Sequence, residues 1–237
     1  MTSSISRRGS RAPSAPFGPL STVRYTVNGV DFDMVRVPPG RFVDGEGPTR
    51  RELLVSRPFE IGITLVTQAL WRAVMDSSPS FFKTEDRPAD NISYDDVQAF
   101  LARLSTFGLT GFRLTTEAEW GWAARCGAPT RWSGADRAKL VAVAGARRTE
   151  PVAVLYPDSA GIFDQSGNVM EWVADWHQGS PEPGLDQRGP ASGPYRVNRG
   201  GNWCSDLNFA RVAARSRNFP ASRNDGLFGF RLLRITP

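Results

Sequence analysis

Apolar and polar residues alternate through "VRYTVNGVDFDMVRVPPGRFVDG", residues 23–45. Alternation with period two marks half-buried strands, and Asn28-Gly29 supplies the left-handed backbone of a tight hairpin turn. Arg24–Val27 and Val30–Val37 are therefore predicted to pair, with Pro38, Pro39 and Gly40 ending the second strand. "FEIGITLVT" reads as a further strand running into a helix. Thr67 can cap that helix, and Leu70, Trp71, Val74 and Met75 form its apolar stripe. After "NISYDD" a second helix is predicted, with Ser93 as N-cap. Asp95 and Asp96 lie in its first turn, where the helix dipole favours negative charge. Its buried face is Val97, Phe100, Leu101 and Leu104, at i, i+3, i+4 and i+7. "GFRLTTEAEWGWAARCGAP" gives a third helix, with Thr116 and Glu119 as a capping box and Cys126-Gly127 at its end. Trp120 and Ala123 are expected to face the core.

Beyond residue 128 the periodicity fades. Gly, Pro, Ser, Asp and Trp dominate, and "HQGSPEPGLDQRGPASGP" is a turn-rich loop. "YRVNRGGNW" and "FGFRLLRI" read as short strands enclosing an irregular stretch. No internal repeat or linker divides the chain. Residues 22–237 are read as one domain and residues 1–21, "MTSSISRRGSRAPSAPFGPLS", as a flexible tail.

Composition narrows the function. The tail has no apolar stretch of the kind a secretory signal needs, so a cytoplasmic protein is the default expectation, with export by another route left open. No apolar run reaches the ~18 residues of a membrane span. The formal charge is +5, yet the basic residues are dispersed arginines with only Lys83 and Lys139 as lysines. No basic run exceeds two residues, and no specific nucleic-acid binding is expected. Cys126, Cys204 and His177 are the whole complement of soft or imidazole ligands, too few for a structural zinc or non-haem iron site. A Ser-His-Asp triad would have to use His177, and no G-x-S-x-G elbow is present.

The stretch "FDQSGNVMEW", residues 163–172, sets a polar Gly-Asn turn between Asp164 and Glu171, flanked by aromatics. It is either a tight structural corner or an ion site.

Five segments in order, "GITLVTQALWRAVM", "GFRLTTEAEWGWAAR", "AGIFDQSGNVMEWVADW", "RVNRGGNW" and "GFRLLR", resemble the sulfatase-modifying-factor family of formylglycine-generating-enzyme-like domains. The resemblance covers nearly the whole chain beyond the tail. It implies an α+β fold of low regular content, a C-type-lectin-like variant with two or three helices and short antiparallel strands. It also implies that the turn binds a structural Ca²⁺ through the Asp164 side chain, the Gly167 and Val169 carbonyls and the Glu171 carboxylate. Hard oxygen donors of this kind suit Ca²⁺. The family's second calcium site is not visible in "AKLVAVAGARRTE".

Oxygen-dependent members of the family carry two cysteines a few residues apart after the RGG motif. Here Cys204 stands near the first position and the second is absent, so the thiolate pair that would hold a copper ion cannot form. Another branch, the variable proteins of diversity-generating retroelements, is similar in its C-terminal pattern. There, fixed residues alternate with positions diversified through adenine-containing codons. On that resemblance Arg199, Gly200, Gly201, Trp203, Arg211, Arg215, Pro220, Gly229, Phe230 and Arg231 hold the backbone. The ligand-binding positions are Asn202, Cys204, Ser205, Asp206, Asn208, Ser216, Asn218, Phe219, Asn224, Asp225 and Leu227, with Phe219 and Leu227 as apolar anchors. Diversified Asn codons cannot yield Lys, Glu, Gln or Met, and none of these occurs from Asn202 to Phe230. The expectation is a non-catalytic binding protein whose partner is a protein or other macromolecule. The alternative is an oxidoreductase or enzyme-accessory member of the same family.

Overall fold

A computed structural model describes residues 20–125, 128–179 and 182–235. The predicted tail lies outside the described residues except for Leu20 and Ser21, as does the Cys126-Gly127 end of the third helix.

Strands β1 (Thr22–Val27) and β2 (Val30–Val37) form the expected hairpin in the register Val27↔Val30. Asn28 and Gly29 both adopt positive φ, as a two-residue turn matching the strand twist requires. The chain does not stop at Pro38-Pro39. It begins a second hairpin, β3 (Gly40–Asp44) with β4 (Arg51–Val55), which sequence periodicity had not marked. β5 (Phe59–Gly62) returns to pair with β2. Helix α1 (Gln68–Met75) starts at Thr67, whose hydroxyl accepts the Leu70 N–H at 3.2 Å. Helix α2 (Tyr94–Thr106) carries a full capping box between Ser93 and Asp96. β6 (Phe112–Leu114) leads into α3 (Glu117–Arg125). The Thr116–Glu119 box is present at 2.8 and 3.1 Å, so the N–H groups of Thr116 and Glu119 each meet a side-chain acceptor.

Next come α4 (Ala138–Val141), β7 (Ala142–Val143), β8 (Ser166–Gly167), β9 (Met170–Trp176) and β10 (Gly184–Leu185). The chain ends with β11 (Arg196–Arg199), β12 (Arg215–Asn218), β13 (Phe228–Gly229) and β14 (Leu232–Ile235). The first sheet has the order β1-β2-β5-β14-β6, which seats the last strand between β5 and β6. A second sheet is β10-β4-β3 and a third β12-β11-β9-β13. The architecture is α+β, with short, mostly antiparallel strands.

Helices α1 and α2 cover the first sheet. Their predicted apolar faces meet Met34, Leu114, Phe230 and Leu232, and Trp71, Phe100 and Phe230 form a ring cluster with centroids 5.2–6.3 Å apart. Helix α3 departs from a simple amphipathic reading. Trp120 and Ala123 are buried as expected, but so is every other residue of the helix, including Glu117, Glu119 and Arg125. Buried charges of this kind require partners, and Glu117 finds two of them, Arg199 and Arg215, in the C-terminal segment. Among the described residues no helix is long and apolar enough to cross a membrane.

Candidate functional site

The segment from Arg199 to Arg231 divides into buried anchors and exposed loops. Gly200 and Gly201 both have positive φ. At Gly201 a Cβ would come within 2.8 Å of the Phe209 carbonyl oxygen, so the chain can fold back on itself only without a side chain there. The fold-back buries Ala210 and Val212, and Val212 N–H donates to the Arg131 carbonyl at 3.0 Å. Trp203 is half-buried. Its ring meets Phe82 edge-on at 5.4 Å and its indole N–H donates to the Gly226 carbonyl at 2.9 Å. The Pro220 carbonyl accepts from Tyr94 N–H, and Phe228 and Phe230 enter the core.

Two carboxylates and four guanidinium groups pin the same segment from below. Asp44 contacts Arg51 at 2.8 Å and Arg125 and Arg199 at 3.4 Å. Glu117 holds Arg199 and takes a bidentate pair from Arg215 at 2.5 and 3.0 Å. Burial pushes both carboxyl groups up, but the surrounding arginines outweigh it and hold them below the usual carboxylate range. Arg199 also donates to the Val212 carbonyl at 2.5 Å. Charge-assisted bonds thus fix Arg199 to β3 and α3, and Arg215 of β12 to α3.

Between these anchors, Cys204, Asp206, Asn208, Phe219, Asn224 and Asp225 are exposed, and Ser205, Ser216, Asn218 and Leu227 are half-buried. Phe219, 56% exposed, packs its ring against Tyr195 at 4.6 Å. Leu207 and Phe209, which the sequence reading passed over, are exposed in the same loop. Asn202 does not belong to the contact surface. It is buried, and its Oδ1 accepts from Cys204 N–H, Cys204 Sγ and Ser205 Oγ at 2.9–3.3 Å, so it shapes the turn rather than facing a ligand. A short Asn beside the Gly-Gly strand folds its amide inward to satisfy the tight turn. Cys204 is exposed.

Under this face lies a support the sequence did not reveal. Asp90 is fully buried and its Oδ1 accepts Phe81 N–H at 2.5 Å, while Oδ2 has no partner among the described residues. Burial pushes its carboxyl up to about 6, against the backbone N–H groups of Phe81 and Phe82 and the charges of Lys83 and Arg87. The loop it organises carries Phe82 to Trp203.

The 163–172 turn is a tight corner in which Asp164, Gly167, Val169 and Glu171 all lie buried. Gly167 is obligatory, because at its positive φ a Cβ would come within 2.1 Å of the Val143 carbonyl oxygen. Asn168 bridges to the Glu150 backbone through both ends of its amide. Glu171 faces Arg231 in a two-pronged pair at 3.1 and 3.2 Å. Asp164 accepts the Ala153 N–H at 2.8 Å. Its carboxyl is raised by burial and by Glu171, which outweigh Ala153, Arg231 and Asn168. The donor chemistry fits a hard cation at Asp164, a buried carboxyl without a direct ion pair among the described residues. At Glu171 any cation would share the carboxylate with Arg231. Among the described residues no three His, Cys, Asp or Glu side chains gather into a metal cluster.

Comparison with known proteins places this geometry. The chain is 34% identical over 190 residues to the formylglycine-generating enzyme of Streptomyces coelicolor, covering 70% of this chain and 58% of that protein. The chain therefore spans little more than half the length of that enzyme. It is 28% identical over 240 residues to the chaperone protein LppX of Paenibacillus barcinonensis, covering 78% of this chain and 83% of LppX. Among solved structures, variable protein 1 of Treponema denticola superposes with a TM-score of 0.84 at 29% identity, covering 91% of this chain and 99% of that one. PvdO of Pseudomonas aeruginosa superposes at 0.77 with 26% identity, covering 93% and 100%. A sequence profile described as "Sulfatase-modifying factor enzyme 1-like domain" matches residues 26–236. That match runs from the first hairpin to the last strand, and the chain belongs to the sulfatase-modifying factor enzyme 1-like domain family.

Proposed function

We propose that this protein is a ligand-binding scaffold that presents the loops between Asn202 and Phe228 to a macromolecular partner. One observation carries the reading. In a single segment, the buried positions are pinned by ion pairs, backbone bonds and aromatic contacts. The ten positions at Cys204, Ser205, Asp206, Asn208, Ser216, Asn218, Phe219, Asn224, Asp225 and Leu227 all retain solvent access. A rigid floor under adaptable polar and aromatic side chains is the arrangement that binding loops use. The likeness to variable protein 1 supports the same reading. On this proposal the ten positions are diversified through a retroelement template, and Ca²⁺ at the Asp164 turn stiffens the scaffold through Asp164, the Gly167 and Val169 carbonyls and Glu171.

The test is a library randomised at the ten positions, sorted first for soluble expression and then for binding to unrelated proteins. Retained folding in most members, with binding specificities that differ between clones, is the expected outcome. General loss of folding would refute the division into anchors and display positions. A near-identical template repeat and a reverse transcriptase beside the gene are the genomic counterpart.

A further inference from the structure

A groove rich in arginine runs along one side of the display segment. Its first lobe, about 490 Å³, lies between the Val43–Arg50 stretch and Arg125, Pro129, Thr130, Arg131 and Asp136, closed by Arg211 and Ala213. Its second lobe, about 550 Å³, lies between the Pro48–Glu52 stretch and Gly179 and Pro183, with Ala213 and Arg215. Gly45, Arg50 and Ala213 line both lobes, so the two meet at one ridge. Together the lobes present six arginines against three acidic residues.

Four of the six arginines are matched with carboxylates, and among the described residues Arg50 and Arg131 form no ion pair. Glu52 pairs with Arg41 outside the groove at 3.0 Å, and Asp136 accepts only a backbone bond from Arg131 at 3.0 Å among the described residues. Glu46 alone of the three pairs with a groove arginine, Arg211. Below, Asp44 and Glu117 are already divided among Arg51, Arg125, Arg199 and Arg215. The Nε atoms of Arg51, in the second lobe, and Arg125, in the first, are buried with no hydrogen-bond partner among the described residues. The Thr130 hydroxyl of the first lobe is in the same condition. Burial pushes both guanidinium groups down, against the pull of Asp44. Unsatisfied buried donors are costly, and they leave these side chains with donor capacity beyond their carboxylate pairs.

We propose that this groove receives an acidic segment of a protein ligand, whose carboxylates pair with Arg50 at the ridge and with the cations of each lobe. Two lobes divided by a ridge suit successive side chains of an extended peptide better than one small oxyanion. Pro48, Pro129, Pro183 and Ala213 give its backbone apolar walls. Planar guanidinium groups match carboxylates in a two-pronged geometry. Glu46 then acts as an internal competitor, occupying Arg211 until a ligand carboxylate displaces it. The inference rests on the binding reading above, because Arg211, Ala213 and Arg215 belong to both the groove and the display segment.

The test uses a fluorescein-labelled oligoglutamate peptide and fluorescence anisotropy at low ionic strength. Arg50, Arg131 and Glu46 are exposed, so their variants should fold, as an unchanged melting curve would verify. Saturable binding to the wild type is expected. Arg50→Glu and Arg131→Glu should each weaken it about tenfold, the loss of one charge-assisted contact. Glu46→Gln should strengthen it. Arg103→Glu, which makes the same charge change on α2 outside the groove, should leave it unaltered. Four results overturn the proposal: no saturable binding, equal binding by Arg50→Glu, equal weakening by Arg103→Glu, or displacement of the peptide by inorganic phosphate at matched anion concentration. Substitutions at Phe219 and Leu227 separate the two readings. If they change the binding of library-selected ligands while oligoglutamate fails to bind, only the groove inference falls. If oligoglutamate binds as expected while those substitutions change nothing, the display reading falls.

Discussion

Asp90→Asn isolates the buried carboxyl beneath the display face. In the native protein that carboxyl titrates at about 6. In the unfolded chain an Asp titrates near 3.9. Below the unfolded value both states hold the proton, and Asp90 imposes no ionisation penalty on folding. Between the two values the unfolded chain releases the proton and the native state retains it, so native stability falls as pH rises. Above about 6 the native carboxyl also ionises and the loss levels off. Each tenfold change in proton affinity corresponds to ~1.36 kcal/mol, so the accumulated penalty is about 3 kcal/mol at neutral pH. An Asn at this position keeps an oxygen for the Phe81 N–H and has no proton to lose. The gap in stability, Asn variant minus wild type, should therefore grow by about 2 kcal/mol from pH 4 to 7 and then stay nearly flat. Urea unfolding at a series of pH values measures it, and taking the difference cancels every other titrating group. A gap that does not change with pH, or that moves against the Asn variant as pH rises, would refute the assignment.

Further predictions concern the anchors and the ion site. Phe230→Ala removes a fully buried ring and should cost about 3–5 kcal/mol, a drop of roughly 6–20 °C in Tm, whereas Phe219→Ala on the display face should cost under ~1 kcal/mol; similar costs would contradict the two-class reading. Asp44→Asn strips Arg51, Arg125 and Arg199 of a shared counter-charge and should destabilise by about 3–5 kcal/mol. Because Asp44 is held below its ordinary range, the stability it contributes is present above about pH 4 and lost as the pH falls through its lower native value. The variant should therefore show a shallower acid limb than the wild type. Calcium at a hundred times its Kd should stabilise the protein by about 2.7 kcal/mol, and Asp164→Asn should abolish most of that gain. Identical melting curves in calcium and in chelator would make the turn a corner and nothing more.

What could be read from the sequence was local. The Asn28-Gly29 hairpin, the Thr67 cap and the Ser93 and Thr116 boxes each depend on residues within a few positions of one another, and all are present. The β3–β4 hairpin was hidden behind Pro38-Pro39, which reads as a stop. β12 was hidden because "RSRN" has no apolar residue; an edge strand of this kind is held by its backbone pairing with β11. The arginine groove was illegible for another reason. Asp44 and Arg199 lie 155 residues apart, and no spacing rule links them. Four of the scattered arginines that suggested a merely soluble surface, Arg51, Arg125, Arg199 and Arg215, are brought together by the fold around Asp44 and Glu117. Asn202 was misplaced because the diversified pattern treats all Asn alike, whereas the backbone turn decides which of them point inward.

The position of β14 bears on how such a protein is made. The strand follows every other described element yet fills the gap between β5 and β6, so the first sheet cannot close until it has been made. β5 and β6 must wait, with their pairing edges open, for a strand that begins at Leu232. Nonlocal closure of this kind slows folding and exposes intermediates to aggregation and to cellular surveillance. On the proposed binding reading it would also act as a reading check. The display loops precede β13 and β14 directly, so a frameshift or premature stop within them deletes Phe230, Arg231 and the strand that completes the sheet. Such a product cannot hide as a folded protein with a damaged face. On that reading, a chain must be translated in frame through the display segment to gain the strand that completes the first sheet.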